Sequence, residues 1–140
     1  MSFTVPSLIS FGSIGIGGNN KSIPATTAAQ AVTLTGISLT NGHKVKISLE
    51  ANAANFTDGA GPVFAAADVS WNASTWTQGT GIVGTLVNTA FTQVASSIAN
   101  PAGTVSTANL LFTLGTHDFA AAAIEAGPQT LICTWKVESF

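Results

Sequence analysis

The sequence predicts an all-β protein, an antiparallel β-sandwich or jelly roll of about seven to nine strands. Three observations carry the prediction. Apolar residues recur with period two, the spacing that sends successive side chains to opposite faces of a strand. Clusters of Gly, Asn and Pro separate these alternating runs at short intervals. The 140 residues also include 14 glycines, which oppose a helical bundle. A chain of this length supports one hydrophobic core and no second large domain.

The opening segment carries strand chemistry in Phe3-Thr4-Val5 and Leu8-Ile9-Ser10-Phe11, then meets a glycine-rich break at Gly15-Ile16-Gly17-Gly18. The chain therefore divides into an N-terminal strand segment, 1–18, and a single sandwich domain, 19–140. Such a segment either pairs within its own sheet or reaches through its flexible joint to the sheet edge of a neighbouring subunit. Ala31 to Ile37 alternates with Val32 and Leu34 on one face. His43 to Glu50 repeats the pattern with Val45, Ile47 and Leu49 inward. Asn41-Gly42 between them is a type I′ hairpin signal, which predicts that 31–40 and 43–51 pair antiparallel. Further strands are expected at 63–70, 81–87, 91–97, 108–114 and 129–137. The turns between them are signalled by Asp58-Gly59-Ala60-Gly61-Pro62 and Asn100-Pro101-Ala102-Gly103. Alanine-rich 119–126 is the one stretch where a short helix is expected, flanked by Asp118 and Glu125.

Charge is scarce. Lys21, Lys44, Lys46 and Lys136 are the only cations beyond histidine, six carboxylates bring the formal net charge to −2, and arginine is absent, while 46% of residues are apolar. An ordinary soluble domain has about a quarter of its residues charged. Nucleic acid is not an expected partner, because phosphate binding needs clustered Lys or Arg, and the chain has no polybasic membrane anchor. Mean hydropathy is +0.42, yet Thr, Ser, Asn and Gly interrupt every apolar run short of the roughly 20 residues a spanning helix needs. The first ten residues alternate and lack the basic head and continuous apolar centre of a secretory leader. Met1 is either an initiator without a leader or follows one that lies outside this chain.

No catalytic constellation, cofactor or metal site emerges. His43 and His117 have no second ligand at metal spacing. Asp58, Asp68 and Asp118 fall at expected loop or strand ends but form no calcium loop, and Asp58-Gly59 is turn chemistry. There is no Gly-x-Ser-x-Gly elbow, and the glycine-rich break lacks the Lys-Ser/Thr of a phosphate loop. Cys133 is the single cysteine and reads as a small buried hydrophobe in the run Leu131-Ile132-Cys133. Asn20, Asn55 and Asn72 stand in glycosylation acceptor triplets, which matter only in a glycosylating host. Threonines at 33, 35, 75, 77, 104 and 107 form polar strand faces; their spacing has no solenoid repeat. Trp71, Trp76 and Trp135 are either core aromatics or ligand contacts. For Trp135, period two with Leu131, Cys133 and Val137 favours the core.

Phe11-Gly12-Ser13-Ile14, Asn55-Phe56-Thr57-Asp58-Gly59 and Cys133-Thr134-Trp135-Lys136-Val137 together resemble the layout of WxL-like surface domains of bacteria. The resemblance implies a secreted β-sandwich held non-covalently at the cell surface, the WxL domains proper being similar to peptidoglycan-binding modules. Trp135-Lys136-Val137 matches the distal Trp-x-Leu motif with Val in place of Leu. Trp71 and Trp76 do not reproduce the proximal motif, since Ala73 and Gln78 stand at the third position.

The expected function is a non-enzymatic structural subunit that associates with copies of itself in an extracellular filament or surface layer. Few ions need stripping of water at such an interface. Phe3, Val5, Leu8, Ile9 and Phe11 are the expected plugs into a neighbour's core. Removing residues 1–14 is expected to leave a folded or near-folded domain that no longer assembles. A virion decoration or fibre protein is one alternative. Another is a cell-wall or carbohydrate-binding module that takes a polysaccharide on Trp71, Trp76 and Trp135.

Overall fold

A computed structural model describes residues 1–56, 63–119 and 126–140. These residues fold as antiparallel sheets packed on one core, as the alternation requires. Thirteen strand segments occur among them, more than expected, because bulges and bends break the longer runs. In chain order they are β1 (Ser2–Thr4), β2 (Leu8–Ile14), β3 (Ala25–Thr26), β4 (Gln30–Ser38), β5 (Val45–Ala51), β6 (Val69–Trp71), β7 (Thr75–Trp76), β8 (Gly79–Gly81), β9 (Gly84–Thr85), β10 (Thr92–Ser97), β11 (Ala102–Leu110), β12 (Phe112–Leu114) and β13 (Ala126–Ser139).

Six strands form one sheet in the order β2-β13-β5-β10-β8-β7, three form a second as β1-β4-β11, and four form a third as β3-β12-β6-β9. Only Leu111 separates β11 from β12. Because β11 pairs with β4 and β12 with β3, the two smaller sheets share one long antiparallel ladder with a break in its middle. At the break Thr27 N donates to the Phe112 carbonyl at 2.9 Å, and Phe112 N donates to Thr27 Oγ1 at 3.1 Å. Val32, Leu34, Val105, Leu110, Phe112 and Leu114 face the core from this side, and Ile47, Leu49, Ala51, Leu131 and Cys133 face it from the six-stranded sheet. Cross-strand pairs of Thr and Ser cover the outer face of the three-stranded sheet, an arrangement that stabilises neighbouring strands.

Several local expectations are corrected. Asn41 (φ 59°) and Gly42 (φ 81°) adopt the left-handed conformations of a type I′ turn, and His43 N donates to the Thr40 carbonyl at 3.2 Å. The flanking strands nevertheless do not pair. β4 and β5 belong to different sheets, so the turn is an arch across the sandwich. Two apolar faces, Val32-Leu34-Ile37 and Val45-Ile47-Leu49, bury more by meeting through the core than by lying side by side. The expected strand 63–70 is a bridge at Ala65, a 3₁₀ turn over Ala66–Asp68 and then β6. The expected strand 81–87 is divided between β8 and β9. The helix expected at 119–126 lies for residues 120–125 outside the described residues, and Ala126 opens β13. The turn at 58–62, including Asp58, also lies outside them.

The sandwich is closed along the β11 edge by side chains. Thr77 Oγ1 accepts from Ser106 N at 2.9 Å. Gln78 Nε2 donates to the Ala102 and Thr104 carbonyls at 2.7 and 2.8 Å, while its Oε1 accepts from Ala102 N at 3.1 Å. These bonds satisfy backbone groups that an edge strand leaves open.

Candidate functional site

On the opposite side of the sandwich, the N-terminal segment supplies the edge of two sheets at once. β1 pairs with β4 in the register Ser2–Thr35, Phe3–Leu34 and Thr4–Thr33, and is terminal in its sheet. The chain then turns through Val5-Pro6-Ser7 into β2, the terminal strand of the six-stranded sheet, which pairs with β13 from Ile14–Ala126 to Leu8–Ile132. Gly12, at φ +68°, sits in this ladder beside a shift of register. Past Ile14 the chain enters the glycine-rich joint. There Gly17 N donates to the Lys21 carbonyl at 2.7 Å and Asn20 N to the Gly17 carbonyl at 3.0 Å.

The five residues singled out as plugs divide by face. Ile9 is 2% exposed and part of the core, and Phe3, Val5 and Phe11 pack against it half-buried. Phe3 meets the Trp135 ring edge-on with centroids 6.5 Å apart, and Phe11 lies 5.8 Å from Phe56. In this single chain those four side chains fill the molecule's own core. Leu8 points the other way: it is 49% exposed beside its cross-strand neighbour Ile132, 58% exposed. Sequence reasoning missed Ile132 because the strand register that sets it beside Leu8 is not written in either segment.

The corner of the segment is tethered by a side chain from the last strand. Trp135 Nε1 donates to the Pro6 carbonyl at 2.7 Å, a carbonyl in a turn that has left one ladder and not yet entered the other. Period two indicated the face of Trp135, but nothing in the sequence indicated this partner.

The other tryptophans are core residues. Trp71 (3% exposed) donates to the Ile82 carbonyl and Trp76 (6%) to Ser74 Oγ, each at 2.8 Å. All three indole N–H groups are thus satisfied internally, and the Trp71 and Trp76 rings are buried, while Trp135 is partly buried against the core. Cys133 is buried, and burial pushes its thiol up to about 12, far from a reactive thiolate.

Among the described residues, the ionisable groups form small, separate pairings. Lys46 and Lys136 both reach Glu138, at 3.0 and 2.7 Å, on the outer face of the six-stranded sheet. Hydrogen bonds from Lys136 and then Lys46 hold the Glu138 carboxyl below the ordinary carboxylate range. His117 Nδ1 lies 3.5 Å from Asp68, Lys21 lies 3.5 Å from Asp118, and His43 stands in the arch after β4. Among the described residues, no three of His, Cys, Asp and Glu gather where they would hold a metal ion. No helix among them is long and apolar enough to cross a membrane.

No family model matches the sequence, and no curated protein matches it. Among solved structures the chain is similar to the N-terminal cellulose-binding domain of β-1,4-glucanase C from Cellulomonas fimi. The identity is 16% over 91% of this chain and 90% of that one, with a TM-score of 0.25.

Proposed function

We propose that this chain is a non-enzymatic structural subunit that assembles with copies of itself on an exterior surface, as a filament or layer, by exchanging residues 2–14. The supporting observation is that these residues hold the edge of two sheets and no interior position in either. An element so placed leaves without breaking any pairing between other strands. Docked on a neighbour, it regains the same ladder with β4 and β13 and the same seats for Phe3, Val5, Ile9 and Phe11. The free-energy difference between the closed and exchanged forms is then confined to the joint after Ile14 and to the entropy of association. Exchange that passes each segment to the next copy yields an open filament when the rotation between copies does not close into a ring. A location on the cell exterior, as the resemblance to WxL-like domains implies, is part of the proposal.

The geometry changes what truncation does. Residues 1–14 supply the partner of β13 from Ala126 to Ile132 and the core side chains Ile9 and Ile14, each 2% exposed, so their removal is expected to destabilise the remainder. The test follows from that. The truncated chain alone should lose its cooperative urea transition and regain it when a synthetic peptide of residues 1–14 is added. The full chain should form concentration-dependent oligomers on size exclusion and extended particles by negative-stain imaging. A full chain that stays a monodisperse monomer at every concentration would overturn the proposal.

A further inference from the structure

The sequence scatters its threonines, but the fold arranges them. Ser2, Thr35 and Thr104 stand side by side across β1, β4 and β11, and Thr4, Thr33 and Ser106 form the next rank. Leu34 and Val105 between these ranks point into the core, so the hydroxyls point outward. Adjacent strands lie about 4.8 Å apart, and side chains on the same face recur roughly every 6.8 Å along each strand. The two ranks therefore make a regular field of hydroxyl groups. Among the described residues, no charged side chain stands in these two ranks. Lys46, Lys136, Glu138 and Glu50 belong to the outer face of the other, six-stranded sheet.

One side of this field is a trough of about 370 Å³. β4 contributes Ala31 and Thr33, β11 contributes Ser106 and Ala108, and β7 contributes Thr75 and Trp76. Its rim is fixed before any ligand arrives, because Thr77 and Gln78 bond β7 and its turn to the β11 backbone. Little ordering is left to be done on binding.

We infer that this trough is a binding site for an extended, uncharged polysaccharide. Hydroxyl side chains each offer one donor and two acceptors, the same mixed chemistry that sugar hydroxyls present. The threonine methyls, Ala31, Ala108 and the edge of Trp76 supply apolar contact for sugar C–H faces. A charged polymer would lose hydration there and find no counter-charge, so the site discriminates against it. The ranks of hydroxyls that continue beside the trough suit a chain longer than the trough itself. The nine residues lining the trough all lie outside the exchanged segment, which contributes only Ser2 and Thr4 to the adjoining ranks, so the trough is tested by variants that leave residues 2–14 unchanged.

The test is retention of the full-length chain in native affinity gels cast with neutral soluble polysaccharides: barley β-glucan, galactomannan and dextran. Polygalacturonate serves as the anionic control. The wild-type chain should be retarded by at least one neutral polymer and not by polygalacturonate. Thr33→Glu places a carboxylate in the trough and should weaken retention by about tenfold or more, the scale of one unpaired, desolvated charge. Ser96→Glu, opposite Lys46 on the other sheet, should be retained like wild type. If Thr33→Glu does not fold, Ala108→Glu introduces the same charge at an exposed position. The inference is overturned if no neutral polymer retards the wild-type chain, if polygalacturonate retards it equally, or if a folded trough variant binds undiminished.

Discussion

Ile9 and Leu8 are consecutive residues of similar size on one edge strand, and their burial predicts opposite responses to the same substitution. Ile9 is 2% exposed within the core, while Leu8 is 49% exposed. Ile9→Ala removes three buried carbons and leaves a cavity that the surrounding Leu131 and core residues fill only in part. Such changes cost about 2–5 kcal/mol. With a urea m-value of about 1.5 kcal/mol/M, a loss of about 3 kcal/mol lowers the midpoint by roughly 2 M. Leu8→Ala removes side chain that is already half in water and should change stability by no more than about 0.5 kcal/mol. Urea unfolding followed by tryptophan fluorescence compares the two directly, since Trp135 contacts Phe3 of the same segment. Equal effects from the two substitutions, or a larger effect from Leu8, would refute the assignment of faces on β2 and with it the seating of the segment.

Three further outcomes are expected. Trp135→Phe keeps the ring against Phe3 but removes the hydrogen bond to the Pro6 carbonyl; it should cost about 1–2 kcal/mol and speed hydrogen exchange in residues 2–14 more than elsewhere. Glu138 should titrate below the ordinary carboxylate value in carbon-detected NMR. Because its folded pKa is lowered, its contribution is present above the unfolded value and is lost as pH falls through the folded one; Lys136→Ala should move the titration back up. Cys133 should resist alkylation at pH 8 in the folded chain and react fully in urea, and stoichiometric labelling of the native protein would contradict its burial.

Much of the fold was legible because alternation reports burial directly. Val45, Ile47 and Leu49 are inward as their spacing requires, and the run from Leu131 to Val137 lies on the last strand with Leu131 and Cys133 buried. What alternation cannot report is which strand lies beside which. Asn41-Gly42 makes its expected turn, yet the strands it joins enter different sheets, since sheet membership is set by packing across the core and not by turn geometry. The first half of β11 was missed because Ala102, Gly103, Thr104 and Ser106 carry little apolar signal; Val105 and the buried Thr107 alone face inward. Register was equally hidden. It creates the Leu8–Ile132 pair, the hydroxyl ranks and the Trp135 tether, none of which exists within a single segment.

The exchange of residues 2–14 is tested most directly by a covalent record of which chain β2 sits on. Leu8 and Ile132 are exposed register partners on adjacent antiparallel strands, where Cα atoms lie about 4.5–5.5 Å apart, within the span of a disulfide. The double substitution Leu8→Cys and Ile132→Cys, made with Cys133→Val, is allowed to assemble under reducing conditions, oxidised, and run on a denaturing gel without reductant. Exchange predicts a ladder of covalently linked chains that collapses to one band on reduction. A single monomer band with both thiols consumed would mean that every chain keeps its own N-terminal strand, and would contradict the account.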